Sequence, residues 1–230
     1  MPSVRTEPVV LVHGWGGSFA TTWQAPGWEA LLQDAGRTVI GVDLLGHGTA
    51  PKPHDPADYA DLTARIVDAL PTDGPVDAIG FSMGAMTLLE LAINSPERFG
   101  RLVVAGIGKN VFVDDPERRQ VIIDAVEGRA TDDNVGRLFS QYANQAGNDP
   151  VALAAVMRRT GERLTKERLA AVTMPVLVAL GDKDFAGPAD PLVDALPDAR
   201  LVTLKGVDHF ATPESFAFID AALEFLDALS

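Results

Sequence analysis

The sequence predicts an α/β fold: a mostly parallel sheet of about six strands, helices on both of its faces, and an all-helical segment inserted into it. Three observations carry this. Short apolar runs alternate with segments of helical periodicity up to Ile107, the pattern of strands buried on both faces and joined by crossover helices. Between Gly108 and Met174 no strand-like run occurs, and helix starts take its place. The strand pattern then resumes at Val176–Leu180. The expected division is a core of residues 1–108 and 175–230 with a helical cap at 109–174.

Val9–Val12 is the first strand, ended by His13-Gly14-Trp15-Gly16-Gly17, a loop whose glycines let backbone approach a ligand closely. Pro26–Ala35 carries Trp28, Leu31 and Leu32 at helical spacing, with Gly36 as the stop. Thr38–Asp43 is the next strand, leading into Leu44-Leu45-Gly46-His47-Gly48. Asp58–Leu70 places Leu62, Ile66 and Leu70 four apart, as an amphipathic helix does. Val76–Phe81 is a buried strand that must turn into a helix at Ser82; that helix ends near Asn94-Ser95-Pro96, and Leu102–Ile107 is the strand after it.

In the inserted segment, Asp115-Pro116 and Asp149-Pro150 pair an N-cap with proline at the first helical position. Asp132 or Asp133 and Thr165 are further cap candidates. Phe112, Val113, Ile122, Phe139, Tyr142, Leu153 and Met157 are expected mostly to form a small core of the segment itself, with a minority facing Ser82. The sheet resumes at Val176–Leu180 and continues through Gly181-Asp182-Lys183-Asp184, a helix around Pro191–Leu196 and a last strand at Leu201–Leu204. Gly206-Val207-Asp208-His209 follows, then a long helix over Pro213–Leu229.

A chain of 230 residues with 47% hydrophobic content can bury one sizeable core. The formal net charge of -13 opposes nucleic acid and anionic membrane surfaces as partners. The absence of cysteine excludes disulfides, thiolate metal ligands and a cysteine nucleophile. The amino-terminal stretch lacks the apolar run of a signal sequence, and no segment approaches a membrane span. A cytoplasmic protein, monomer or homodimer, is the expectation.

Candidate chemistry centres on Gly80-Phe81-Ser82-Met83-Gly84. A strand that turns at once into a helix leaves little room two residues either side of the corner, where glycines stand, and pushes the Ser82 hydroxyl out above the sheet. The first free helical N–H, that of Met83, lies beside it, and the backbone of Trp15 is the candidate second donor for a developing oxyanion. A serine hydroxyl needs a base, and the base needs a partner that fixes its tautomer. His209 alone among four histidines follows the last strand, and Asp184 lies in the loop after the strand before it. Asp182 is the alternative acid, expected instead to cap its loop. His13 and His47 sit beside glycines and read as structural, and His54 as solvent-exposed. A largely apolar pocket is expected near Trp15, Phe81 and Met83, roofed by Phe112 or Tyr142.

These motifs, in order and spacing, resemble the α/β-hydrolase fold superfamily in its small capped esterase-like branch. The resemblance rests on the His13–Gly17 loop, Asp43–Gly48, the Ser82 corner, Gly181–Asp184, and Gly206–His209 with Pro213-Glu214 behind. It departs from the family in two ways: only eight residues precede the first strand, so a sheet smaller than the usual eight strands is expected, and Ala50 stands where a serine is frequent. The resemblance implies acyl transfer by Ser82, His209 and Asp184 on small to medium carboxylic esters with an apolar part, without metal or organic cofactor. The same set of groups serves carbon–carbon bond hydrolases, lactonases, thioesterases and perhydrolases, and a non-catalytic ligand-binding member is the remaining alternative.

Overall fold

Val9, Val10, Leu11 and Val12 have no solvent exposure at all, a condition a strand meets only when both faces of its sheet are covered. The computed structural model, which describes residues 5–130 and 132–229, shows how this is done. The first residues of the amino-terminal stretch discussed above, Thr131 within the inserted segment, and Ser230 lie outside the described residues.

Six strands form one all-parallel sheet in the order β2-β1-β3-β4-β5-β6. They are β1 (Val9–Val12), β2 (Val39–Val42), β3 (Val76–Phe81), β4 (Phe99–Ala105), β5 (Val176–Gly181) and β6 (Ala199–Leu204). Side chains alternate between two apolar layers. Val10, Val12 and Ala78 join α2 (Ala64–Ala69) and α3 (Met83–Asn94) on one face. Leu11, Ile79, Val103 and Leu177 join Trp28 and Leu32 of α1 (Trp28–Asp34) and Phe218 and Leu223 on the other. The chain winds outward from β1 to β2, then returns to the other side of β1 at β3. The sheet therefore has its switch point between β1 and β3, where the carboxyl ends of the strands leave a crevice.

All four helix starts in the inserted segment carry their caps. Asp115 accepts from Arg118 N at the start of α4 (Pro116–Val126), and Asp133 accepts from Gly136 N before α5 (Asn134–Ala143). Asp149 accepts from Val151 N and Ala152 N before α6 (Pro150–Arg158), and Thr165 from Arg168 N before α7 (Lys166–Leu169). Ile123, Val126, Ala143, Leu153 and Ala154 make a separate small cluster here, against which Phe139, Met157 and Trp15 pack.

Two helical runs depart most from their expected extents; β4 also begins earlier than expected, at Phe99, and the helix expected over Pro191–Leu196 spans Asp190–Val193. The amphipathic run Asp58–Leu70 is not one helix: a tight turn at Pro56–Tyr59 precedes α2. Asp61 accepts from the N–H and hydroxyl of Thr63, an alternative to the helical hydrogen bond that splits the run. At the carboxyl end, a turn at Thr212–Glu214 precedes a helix limited to Phe216–Phe225, after the short α8 (Asp190–Val193); we label that last helix α9.

The rim of the sheet opposite the crevice is held by a buried ion pair. Asp77 in β3 is fully buried and meets Arg37 at 2.5 Å and Arg5 at 2.9 Å, while Arg37 also donates to Glu7 O and Leu226 O. One guanidinium thus joins the strand to segments near both chain ends. No described helix is long and apolar enough to cross a membrane.

Candidate active site

At the end of β3 the backbone bends at Ser82 with φ 52° and ψ -114°, a left-handed conformation rare for any residue with a side chain. The corner is possible because its neighbours are glycines. A Cβ at Gly80 would stand 2.7 Å from Ala85 Cα, and one at Gly84 would run into the carbonyls of Val12 and His13. Ser82 N still bonds Ala105 O at 2.8 Å, so the β3–β4 ladder continues up to the turn itself.

Three residues from different carboxyl-terminal loops meet here. His209 Nε2 lies 3.0 Å from Ser82 Oγ. His209 Nδ1 lies 2.9 Å from Asp184 Oδ2 and 3.0 Å from Oδ1. A carboxylate only accepts, so this contact keeps the proton on Nδ1 and leaves Nε2 to accept from the serine hydroxyl. His209 and Asp184 are both buried, and Asp184 Oδ1 also takes the N–H of Ala186 at 2.8 Å, which fixes the carboxylate plane. Asp182 is elsewhere: it accepts from Gly206 N at 2.7 Å and ties the β5 loop to the β6 loop.

The backbone N–H groups of Met83 and Trp15 have no carbonyl acceptor among the described residues. The Trp15 loop is held from both sides. Below, the buried His13 donates through Nδ1 to Gly14 O at 2.7 Å and accepts from Leu44 N at 3.1 Å, and burial lowers its pKa. Above, the Trp15 indole donates to Leu153 O of α6 at 3.0 Å, and Asn148 Nδ2 donates to Gly16 O at 2.8 Å. His47 is buried against His13 with ring centroids 5.1 Å apart. His54 is exposed and pairs with Asp149 at 2.8 Å.

A cavity of about 220 Å³ opens beside this corner, bordered by Gly14, Trp15, Phe81, Tyr142, Phe210 and Glu214 among others. It is less apolar than expected, since Thr21, Thr22, Gln145 and Glu214 share its walls. Phe112 does not border it. Lys109 N and Asn110 N bond the carbonyls of Pro188 and Ala186, and the turn Lys109–Phe112 that follows sets Phe112 into a second cavity beside Met86, Glu90 and Arg159.

Sequence reasoning missed an aromatic cluster around His209. Phe185 and Phe81 pack on its ring at 4.3 Å and 5.0 Å between centroids, Phe210 meets it edge-on at 5.4 Å, and Phe139 of α5 packs against both Phe185 and Phe210. The available signal was positional: Phe185 and Phe210 each directly follow a candidate site residue.

A profile of the alpha/beta hydrolase family matches residues 9–227, nearly the whole chain. The chain belongs to this family. It is 31% identical over 229 residues to the pimeloyl-acyl-carrier-protein methyl ester esterase of Vibrio campbellii, covering 87% of each chain. A shorter stretch of 106 residues is 37% identical to the 2-hydroxy-6-oxo-2,4-heptadienoate hydrolase of Pseudomonas putida, covering 44% of this chain and 37% of that one. Among solved structures, a hydrolase from Pseudomonas aeruginosa PA01 superposes with a TM-score of 0.77 at 23% identity, over 96% of this chain and 90% of that one. That likeness is one of fold.

Proposed function

We propose that this alpha/beta hydrolase is a serine esterase acting on small to medium carboxylic esters through an acyl-enzyme. His209 takes the Ser82 proton on Nε2 as Oγ attacks the ester carbonyl, and Asp184 stabilises the imidazolium that forms. The carbonyl oxygen becomes an oxyanion facing the N–H groups of Met83 and Trp15. His209 then returns its proton to the leaving alcohol, and a water activated by the same imidazole releases the acid. His209 and Asp184 are buried beside aromatic side chains, so the attraction between imidazolium and carboxylate is weakly screened. The helical segment 109–174 is the cap of this site, since Tyr142, Gln145 and Asn148 reach the cavity or the Trp15 loop from it.

The reading rests on one observation above the others: the 3.0 Å approach of His209 Nε2 to the hydroxyl of Ser82, with Asp184 on the opposite nitrogen. The Vibrio relative, an esterase by name, supports the ester as the class of substrate. Replacing Ser82 by alanine should lower turnover of p-nitrophenyl butyrate by about a million-fold, by analogy with removal of a serine nucleophile in a protease. Retention of more than about a hundredth of the wild-type rate would reject Ser82 as nucleophile.

A further inference from the structure

The cavity beside Ser82 combines aromatic rings, neutral polar groups and one charged side chain. Trp15, Phe81, Tyr142 and Phe210 contribute aromatic rings, with those of Tyr142 and Phe210 4.9 Å apart, and Glu214 contributes a carboxylate. No lysine or arginine borders this cavity. Arg119, Arg159 and Arg163 line the second cavity, and Arg101, Arg200 and Arg65 line others. Among the described residues the Glu214 carboxylate has no hydrogen bond or ion pair, so its charge is not neutralised within the protein. Burial, together with Glu214 and Asp208 nearby, raises the pKa of the Tyr142 phenol, as expected of a region of negative potential.

The distribution of charge over the whole molecule reinforces this. Residues 109–174 contain ten basic and ten acidic side chains, so the formal charge of -13 falls entirely on the remainder, which holds Phe81, Phe210 and Glu214. A cation approaching from solvent is drawn toward that body.

We propose that this cavity is an ammonium-binding subsite, in which the aromatic walls and Glu214 select esters whose leaving alcohol carries an alkylated ammonium group. Aromatic rings attract a cation that keeps little water, and alkylated ammonium is such a cation. Glu214 supplies the opposite charge. The alcohol side of the ester is the side concerned, because Phe210, Pro213 and Glu214 continue directly from His209, the group that hands its proton to the departing alcohol. A cavity of about 220 Å³ suits a small headgroup better than a long chain. The inference rests on the esterase reading for turnover, though not for binding.

The test compares kcat/KM for acetylcholine with that for 3,3-dimethylbutyl acetate, which has the same shape with carbon in place of the charged nitrogen. At low ionic strength the cationic ester should be favoured by about tenfold, and the preference should shrink in 0.5 M sodium chloride because Glu214 is exposed enough to be screened. Glu214→Gln should bring the ratio of the two esters to within about threefold of unity, and Glu214→Lys should turn it below one. A wild-type ratio near one, or a ratio unmoved by Glu214→Gln, overturns the proposal while leaving the esterase reading intact. If neither ester is hydrolysed, calorimetric binding of tetramethylammonium to the wild-type protein decides the matter. Saturable binding weakened by Glu214→Gln supports the subsite, and no binding overturns it.

Discussion

Ser82 holds a backbone conformation that only one other non-glycine residue with positive φ, Asp227, approaches among the described residues. Such a conformation costs about 1–3 kcal/mol and persists only where surrounding structure enforces it. Ser82→Ala and Ser82→Gly both remove the hydroxyl and its bond to His209, but only glycine relieves the backbone. The glycine variant should therefore melt above the alanine variant, by about 2–4 °C for about 1 kcal/mol in a chain of this size, as read by calorimetry. An alanine variant as stable as the glycine one would show that the corner stores no strain. A second single-residue effect concerns His47, whose Nε2 is buried without a partner. Burial first, and then the neighbouring His13, hold its pKa at about 3 against an ordinary 6.5. Between those values the unfolded chain binds a proton that the folded protein refuses, so stability falls as pH drops from 6.5 toward 3, by about 1.4 kcal/mol per unit for this one group. His47→Gln should flatten the dependence of the urea midpoint on pH between 6.5 and 4.5. Equal slopes in variant and wild type would contradict the assignment.

At the scale of elements, the Trp15 loop is the contact between the sheet and the inserted helical segment that matters most for the proposed chemistry. Its N–H can serve an oxyanion only if the loop stays where Leu153 O and Asn148 Nδ2 fasten it. Loss of a whole oxyanion donor costs roughly 100- to 1,000-fold in kcat. A loosened donor should cost less, so Asn148→Ala is expected to lower kcat by about tenfold with KM little changed. A rise in KM alone, in steady-state hydrolysis of p-nitrophenyl butyrate, would mean that Asn148 serves substrate binding and not the loop. This tether was invisible in the sequence, because Asn148 and Gly16 are 132 positions apart and nothing local marks either as a partner of the other. Caps were visible for the converse reason. Asp115, Asp133, Asp149 and Thr165 bond N–H groups two or three residues ahead, so residue type and short spacing determine them. The same locality misled at Asp58–Leu70, where apolar spacing continues through Asp61 but the backbone does not. Phe112 was misplaced because its direction depends on bonds from the preceding residues to the loop at Ala186–Pro188, a contact between distant segments.

Across the whole molecule, the parallel sheet could be read from alternating strand and helix patterns, and the convergence of Ser82, Asp184 and His209 followed from it, since every parallel strand delivers its carboxyl end to one rim. What the pattern does not encode is the opposite rim, where Arg37 and Asp77 form a pair with no solvent exposure; neither residue stands in a motif. The molecule thus separates its tasks: a charged, buried staple under the sheet near both chain ends, and an aromatic-walled crevice above it. The claim that unites the account is that the hydroxyl at the corner is a nucleophile activated by His209, and covalent labelling tests it most directly. After reaction with a fluorophosphonate probe, peptide mass spectrometry should find one equivalent of label on Ser82 in the wild-type protein, and His209→Ala should slow labelling by at least about a hundredfold. Label that fails to appear on Ser82, or that appears there as fast without His209, would contradict the account.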